Sequence, residues 1–132
     1  MSLGSEEQEL MADPRLGAAI ALFNAGEWYA CHDGFEELWH ETAGPMRPVL
    51  QGVLQVAVAH LHLERGNLRG ATILLGEGLG RLQGCGPEAL GVDLALLRGQ
   101  AQARLQALQT GEDPELLPCP MLRAVSPPSH DL

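Results

Sequence analysis

Lysine is missing from this chain of 132 residues: all eight basic residues are arginine, against 17 acidic ones, for a formal net charge of −9 at pH 7. So acidic a balance argues against nucleic acid and against an anionic membrane surface as partners, since both need a cationic face. Cysteine is scarce. Cys31, Cys85 and Cys119 form no C-x-x-C pair, and an odd number suits reduced thiols in a cytoplasmic protein better than a disulfide framework. No N-terminal segment joins a positive start to an apolar core, so a signal peptide is not expected; Met1-Ser2-Leu3 reads as a vector remnant. The longest apolar stretch, residues 49–63, is broken by Gln51, Gln55, His60 and His62 and is too short and too polar to span a bilayer. Hydrophobic residues still make up 45% of the chain, enough for one globular domain with a core of its own.

What the chain does have is helix signals. Asp13-Pro14 is an N-cap followed by proline at the first helical position, and Leu16, Ala19, Ile20, Leu22 and Phe23 then recur at helical spacing until Asn24-Ala25-Gly26. Further helices are predicted over about 27–42, ending before Gly44-Pro45; 48–65, capped by Gly66-Asn67; 68–82; and 93–108, from an N-cap at Asp93 to Gly111. Neither alternation nor β-branched clusters mark a strand. The expected fold is all-α: a compact bundle of about five antiparallel helices over residues 13–110, followed by an extended, Pro-rich tail over 111–132. Leu116, Leu117, Met121 and Leu122 are expected to hold that tail on the bundle, with the chain loose after Val125. Gly76, Gly80 and Gly84 are spaced to line one face and admit a close helix. Their spacing matches neither a P-loop nor G-x-G-x-x-G, so no phosphate cradle is expected.

Polar residues on apolar helices point to the candidate site. On the helix over 27–42, Trp28, Phe35 and Trp39 fall within about 40° of one another and form the expected core face. Tyr29, His32, Glu36 and His40 form the adjacent stripe, while Asp33, Glu37 and Glu41 lie further round and are expected to be solvated. The next helix is apolar on nearly every side, which marks it as central. Yet Arg47, Gln51, Gln55 and His62 share one side of it, and each buried amide or imidazole without a partner costs roughly 1–3 kcal/mol. The polar stripe of the preceding helix is the nearest source of partners. Antiparallel packing would bring His62 near Tyr29 and His32, Gln55 near Glu36 and Gln51 near His40. His60 points away from this row and is expected at the surface; His130 falls in the tail.

The motifs Phe23-Asn24-x-Gly26-x-x-Tyr29-x-Cys31-His32, Glu36-Glu37-x-Trp39, Gly44-Pro45-x-Arg47, Leu50-Gln51-Gly52-x-x-Gln55 and Arg65-Gly66-Asn67-x-x-Gly70-Ala71 closely resemble the bacterial and archaeal domain-of-unknown-function family 309. The likeness covers about residues 13–110 and implies a small helical bundle. Members of that family are sometimes labelled metal-dependent hydrolases. The family usually reads Cys-His-Glu where this chain has Cys31-His32-Asp33.

Three readings follow. A polar cluster of His32, Glu36, Gln51, Gln55 and His62 serves as a structural hydrogen-bond network or a small-molecule pocket, with Tyr29 and Arg47 among the ligand contacts and Arg47 suited to an anion. Alternatively, His32, Glu36 and His62 hold a divalent metal whose water attacks a substrate, with His32 and Glu36 as the catalytic candidates. In the third reading the protein is an interaction module, monomer or homodimer, because Leu94, Leu97, Ala101, Leu105 and Leu108 form a stripe able to seal the bundle or pair two copies. Cys31 is a core residue in all three, since adjacent helical positions diverge by about 100° and cannot face each other as a Cys–His pair.

Overall fold

The computed structural model describes residues 5–125; the expectations for Met1-Ser2-Leu3, for His130 and for the chain after Val125 lie outside them. Its elements run α1 (Ser5–Ala12), α2 (Pro14–Asn24), α3 (Trp28–Glu41), α4 (Arg47–Glu64), α5 (Leu68–Leu82), β1 (Glu88–Ala89), β2 (Val92–Asp93) and α6 (Leu94–Thr110), with one 3-10 turn at Pro114–Leu116. The protein is an all-α bundle.

Local chemistry sets the helix ends. The Asp13 carboxylate accepts the Arg15 N–H, Asn67 accepts that of Gly70 and Asp93 that of Leu96, each filling one orphan donor of a first turn. Gly66 and Gly111 close α4 and α6 at φ of +76° and +79°, a left-handed turn in which a Cβ is strained.

α4 is the middle of the molecule, packed against α3 on one side and α5 on the other. Val49, Leu50, Val53, Val56, Ala57 and Ala59 are all buried, so it has little solvated surface. α3 buries Trp28, Cys31, Phe35 and Leu38, a stripe rotated slightly from the expected one. Trp39 is consequently half-buried at the edge of the core rather than within it. Phe23 meets Trp28 edge-on, ring centroids 5.1 Å apart. On α6, Leu94, Leu97, Ala101 and Leu105 are buried within the chain and Leu108 packs against them: the apolar stripe seals the bundle.

Four features differ from expectation. A short helix, α1, precedes Asp13 and is fastened by carboxylates: Glu6 accepts from the N–H groups of Gly44 and Met46 at 2.8 Å each, and Glu7 from Leu90 N–H at 2.7 Å. Glu6 thereby places negative charge at the positive end of α4. A hairpin of two-residue strands, turning through Leu90 and Gly91 at φ of 55° and 76°, joins α5 to α6. The glycine face of α5 is a different one: a Cβ on Gly76, Gly80 or Gly84 would meet nothing within 4 Å, whereas one on Gly78 would lie 3.0 Å from the Gly52 carbonyl oxygen. At Gly52 and Gly78, α4 and α5 thus approach closely, backbone to backbone. Finally, the tail is held chiefly through its backbone. The Asn24 amide both donates to and accepts from Leu122, Arg104 donates to the Leu117 and Pro118 carbonyls, and Gln100 accepts from Met121 N–H. Leu122 is buried as expected, but Leu116 is 84% exposed because the 3-10 turn points it outward.

Candidate functional site

The exposed edge of α3 gathers the metal-ligating chemistry. His32, Asp33 and Glu36 each present one ligand atom, and these atoms lie within 4.8 Å of one another. Asp33 Oδ1 is 3.2 Å from His32 Nδ1, and Glu36 Oε2 is 3.7 Å from His32 Nε2. The imidazole therefore sits between two carboxylates, one at each ring nitrogen. The i, i+4 spacing places Glu36 one turn beyond His32; Asp33, the next residue, curls back beside the ring. Tyr29, 61% exposed, stands one turn earlier with its ring 6.4 Å from that of His32.

Of the expected metal set His32, Glu36 and His62, the structure brings the first two together. His62 is not in that group of ligand atoms; Asp33, solvent-exposed as expected, stands in its place. His62 instead turns toward the end of its own helix, with Nδ1 3.2 Å from Asn67 Nδ2. Because Asn67 Oδ1 already accepts from Gly70 N–H, its amide nitrogen is the donor here and His62 Nδ1 the acceptor.

The amide row of α4 pairs with α5, not with α3. Gln55 accepts from Arg81 Nε at 3.0 Å and donates to Glu77 at 3.2 Å. Gln51, with its amide oxygen turned to the guanidinium, accepts from Arg81 Nε at 3.2 Å and Nη2 at 3.3 Å. The expected neighbours Glu36 and His40 do not supply these bonds. α3 offers a stripe of the right polarity, but the tight Gly52–Gly78 contact brings the side of α5 bearing Glu77 and Arg81 within reach first.

Arg47 is likewise engaged within the fold. Its Nη1 donates to the Trp39 and Thr42 carbonyls at 2.9 Å each, which satisfies the end of α3 and provides a direct α3–α4 hydrogen bond. Its guanidinium carbon lies 4.1 Å from the centroid of the Trp39 ring.

The helical count missed one polar residue. His60, expected at the surface, is only 3% exposed and stacks 4.9 Å from Trp28. Its Nδ1 lies 2.8 Å from the Val56 carbonyl, so that nitrogen carries the proton, and the buried Nε2 has no partner among the described residues. Burial, reinforced by the Arg104 charge, holds its pKa below the usual histidine value. A histidine on an otherwise apolar helix side was the available signal. Cys31 is the buried core residue expected, its thiol pushed up to about 12 by desolvation, which makes it no nucleophile.

A single imidazole nitrogen with two carboxylate oxygens is a donor set suited to a divalent cation of intermediate softness. The residues fit such an ion on chemistry. Donor–metal bonds of about 2.0–2.2 Å require the three atoms to draw somewhat closer than they stand, and exposed side chains on one helix edge move that far at small cost. No helix among the described residues is long and apolar enough to cross a membrane.

No curated protein matches the chain. Residues 16–74 match the family model described as a domain of unknown function, DUF309. That segment runs from α2 through α3 and α4 into α5, and so contains the whole His32 edge and the α4 amide row. Over residues 16–74, the chain is thus similar to the domain-of-unknown-function family DUF309.

Proposed function

We propose that this chain is a divalent-cation-binding helical domain whose ligands are His32, Asp33 and Glu36. The observation that carries the reading is the convergence of one imidazole nitrogen and two carboxylates within 4.8 Å on a single exposed helix edge. In a protein of net charge −9 the field favours a cation at such a place. A bound divalent ion would lower the pKa of its water towards neutrality and supply hydrolytic chemistry. Around it, this chain's own residues have defined roles. His32 and Glu36 are one-turn neighbours on a well-formed helix, and that rigid spacing orients the donors. Tyr29 offers an aromatic face beside the site for a substrate to rest on. Three free cysteines fit a reducing, cytoplasmic setting.

Metal analysis of untagged protein prepared without chelators tests this, with titration of Mn²⁺ and Zn²⁺ into the apo chain. Stoichiometric binding that is lost in His32→Ala and Glu36→Gln and kept in His62→Ala is the expected result. Wild-type protein that takes up neither ion sinks the reading. A second role, structural, attaches to Gln51 and Gln55, and rests on their bonds to Arg81 and Glu77: they fix the register of α4 against α5.

A further inference from the structure

A cleft of about 380 Å³ opens where the turn before α4 meets the end of α5, away from the His32 edge. Met46, Val49, Cys85 and Ala89 give it apolar walls, and three charged residues line it as well: Arg81, Glu7 and Glu88. Its size and mixed lining are those of a small-molecule site.

Arg81 differs from four other arginines whose side chains are engaged. Arg15 and Arg104 meet carboxylates, and Arg47 and Arg98 are spent on backbone carbonyls. Arg81 forms no ion pair among the described residues, yet its guanidinium is fixed along one edge by two neutral amide oxygens, those of Gln55 and Gln51. Holding Nε and Nη2 this way sets the plane of the fork and leaves Nη1 without an acceptor among the described residues. Its positive charge is therefore oriented but not neutralised, which is the state in which a guanidinium receives a carboxylate best. On the acidic side, Glu7 gives one oxygen to Leu90 N–H and keeps the other, and Glu88 is exposed.

The charge pattern selects the ligand. A simple anion would meet Arg81 but also two carboxylates; a simple cation would meet Glu7 and Glu88 but also a guanidinium. Only a molecule carrying both charges, with an apolar body for the walls, satisfies the whole cleft. We propose that this cleft binds a small zwitterion of dipeptide size, its carboxylate on Arg81, its ammonium toward Glu7 and Glu88, and its side chains against Met46, Val49 and Ala89. The inference is independent of the metal reading.

Calorimetric titration of the full chain with alanyl-leucine tests it. Saturable one-to-one binding is expected, weakened at least tenfold by amidation of the peptide's carboxylate, by acetylation of its amine, and by Arg81→Gln. Glu88→Gln should weaken the free dipeptide severalfold and leave the acetylated one unchanged. Because Arg81 and Glu88 are exposed, circular dichroism should show both variants folded. No saturable binding of the free dipeptide at millimolar concentration, or equal binding by folded Arg81→Gln protein, overturns the proposal.

Discussion

His60 is the residue whose placement carries the clearest pH consequence. Unfolded, its imidazole titrates near the ordinary 6.5, whereas in the folded chain burial lowers that value, so the unfolded state binds the proton more readily. Stability is therefore full above about pH 6.5 and falls as pH drops from there toward the depressed folded value. Arg104 and Glu115 are the charged groups nearest in effect, and the Arg104 cation adds to the penalty for a second positive charge. Asp13 and Glu41 act lower on the scale. Arg15 depresses both carboxyls, so what they contribute is present above their unfolded values, 3.8 and 4.5, and is lost as pH falls through the lower folded ones. Denaturant melts between pH 5 and 7 should show the wild type losing stability and a His60→Leu variant losing markedly less; parallel curves would show that His60 does not carry the dependence. Burial also separates two aromatic residues on α3. Phe35→Ala, at the centre of the core, should cost about 3–5 kcal/mol. Trp39→Ala should cost less, about 2 kcal/mol, since the ring is only partly buried at the edge of the core, under Arg47. Urea melts of the two variants decide it, and a larger loss from Trp39 would contradict the observed α3 face.

At the scale of elements, the α4–α5 contact is decided by glycines whose roles spacing alone assigned to the wrong face. Helical periodicity singled out Gly76, Gly80 and Gly84, four residues apart, but these face open space. Gly78 lies between them in sequence and on the opposite side, against Gly52. A methyl there would crowd the Gly52 carbonyl at 3.0 Å and Gln55 Cβ at 3.2 Å, and backbone cannot step aside as a flexible side chain can. Gly78→Ala should therefore destabilise by about 1–3 kcal/mol through overpacking. Gly76→Ala should stabilise by up to about 1 kcal/mol, since it gains helix propensity and meets no neighbour. Opposite shifts in thermal midpoint are expected for the pair; a drop for both would mean that Gly76 also faces a neighbour. The helix ends are the opposite case, legible from the chain because the cap chemistry is local: Asp13-Pro14, Gly66-Asn67, Asp93 and Gly111 sit within one or two residues of the observed ends. α1 and the hairpin at 88–93 carry no such signal. α1 is a single short helix held by three glutamate–backbone hydrogen bonds, and the hairpin turns on Leu-Gly rather than the Asn-Gly that marks such turns in sequence.

Across the whole molecule, contacts distant in sequence close the structure at both ends. α1 reaches the start of α4 through Glu6, and the tail returns to α2, where Asn24 pairs with both backbone groups of Leu122 as a neighbouring strand would. Ala124 then bridges Val92, and the Val125 N–H donates to the Gly91 carbonyl at 2.9 Å. Asn24→Ala leaves two part-buried backbone groups without partners, which costs roughly 1–3 kcal/mol. Hydrogen exchange should show residues 120–125 losing protection in this variant while α3 and α4 keep theirs. Unchanged protection of Leu122 would show that its buried side chain, not the amide, holds the tail.

The chain by itself determined the all-α class, the central place of α4 and the near-exact helix ends, because caps, proline positions and 3.6-residue periodicity act over a few residues. It also singled out His32 and Glu36, which share one helix edge whatever lies around them. Which residues they meet was decided only in three dimensions. Asp33 rather than His62 completes the cluster, and Arg81 rather than the α3 stripe receives Gln51 and Gln55. A polar row on a buried helix announces that partners exist, because unpaired polar groups are costly. It does not say which neighbouring helix supplies them. That choice belongs to the packing of α4 against α5, where two glycines let the backbones approach and bring Arg81 within reach.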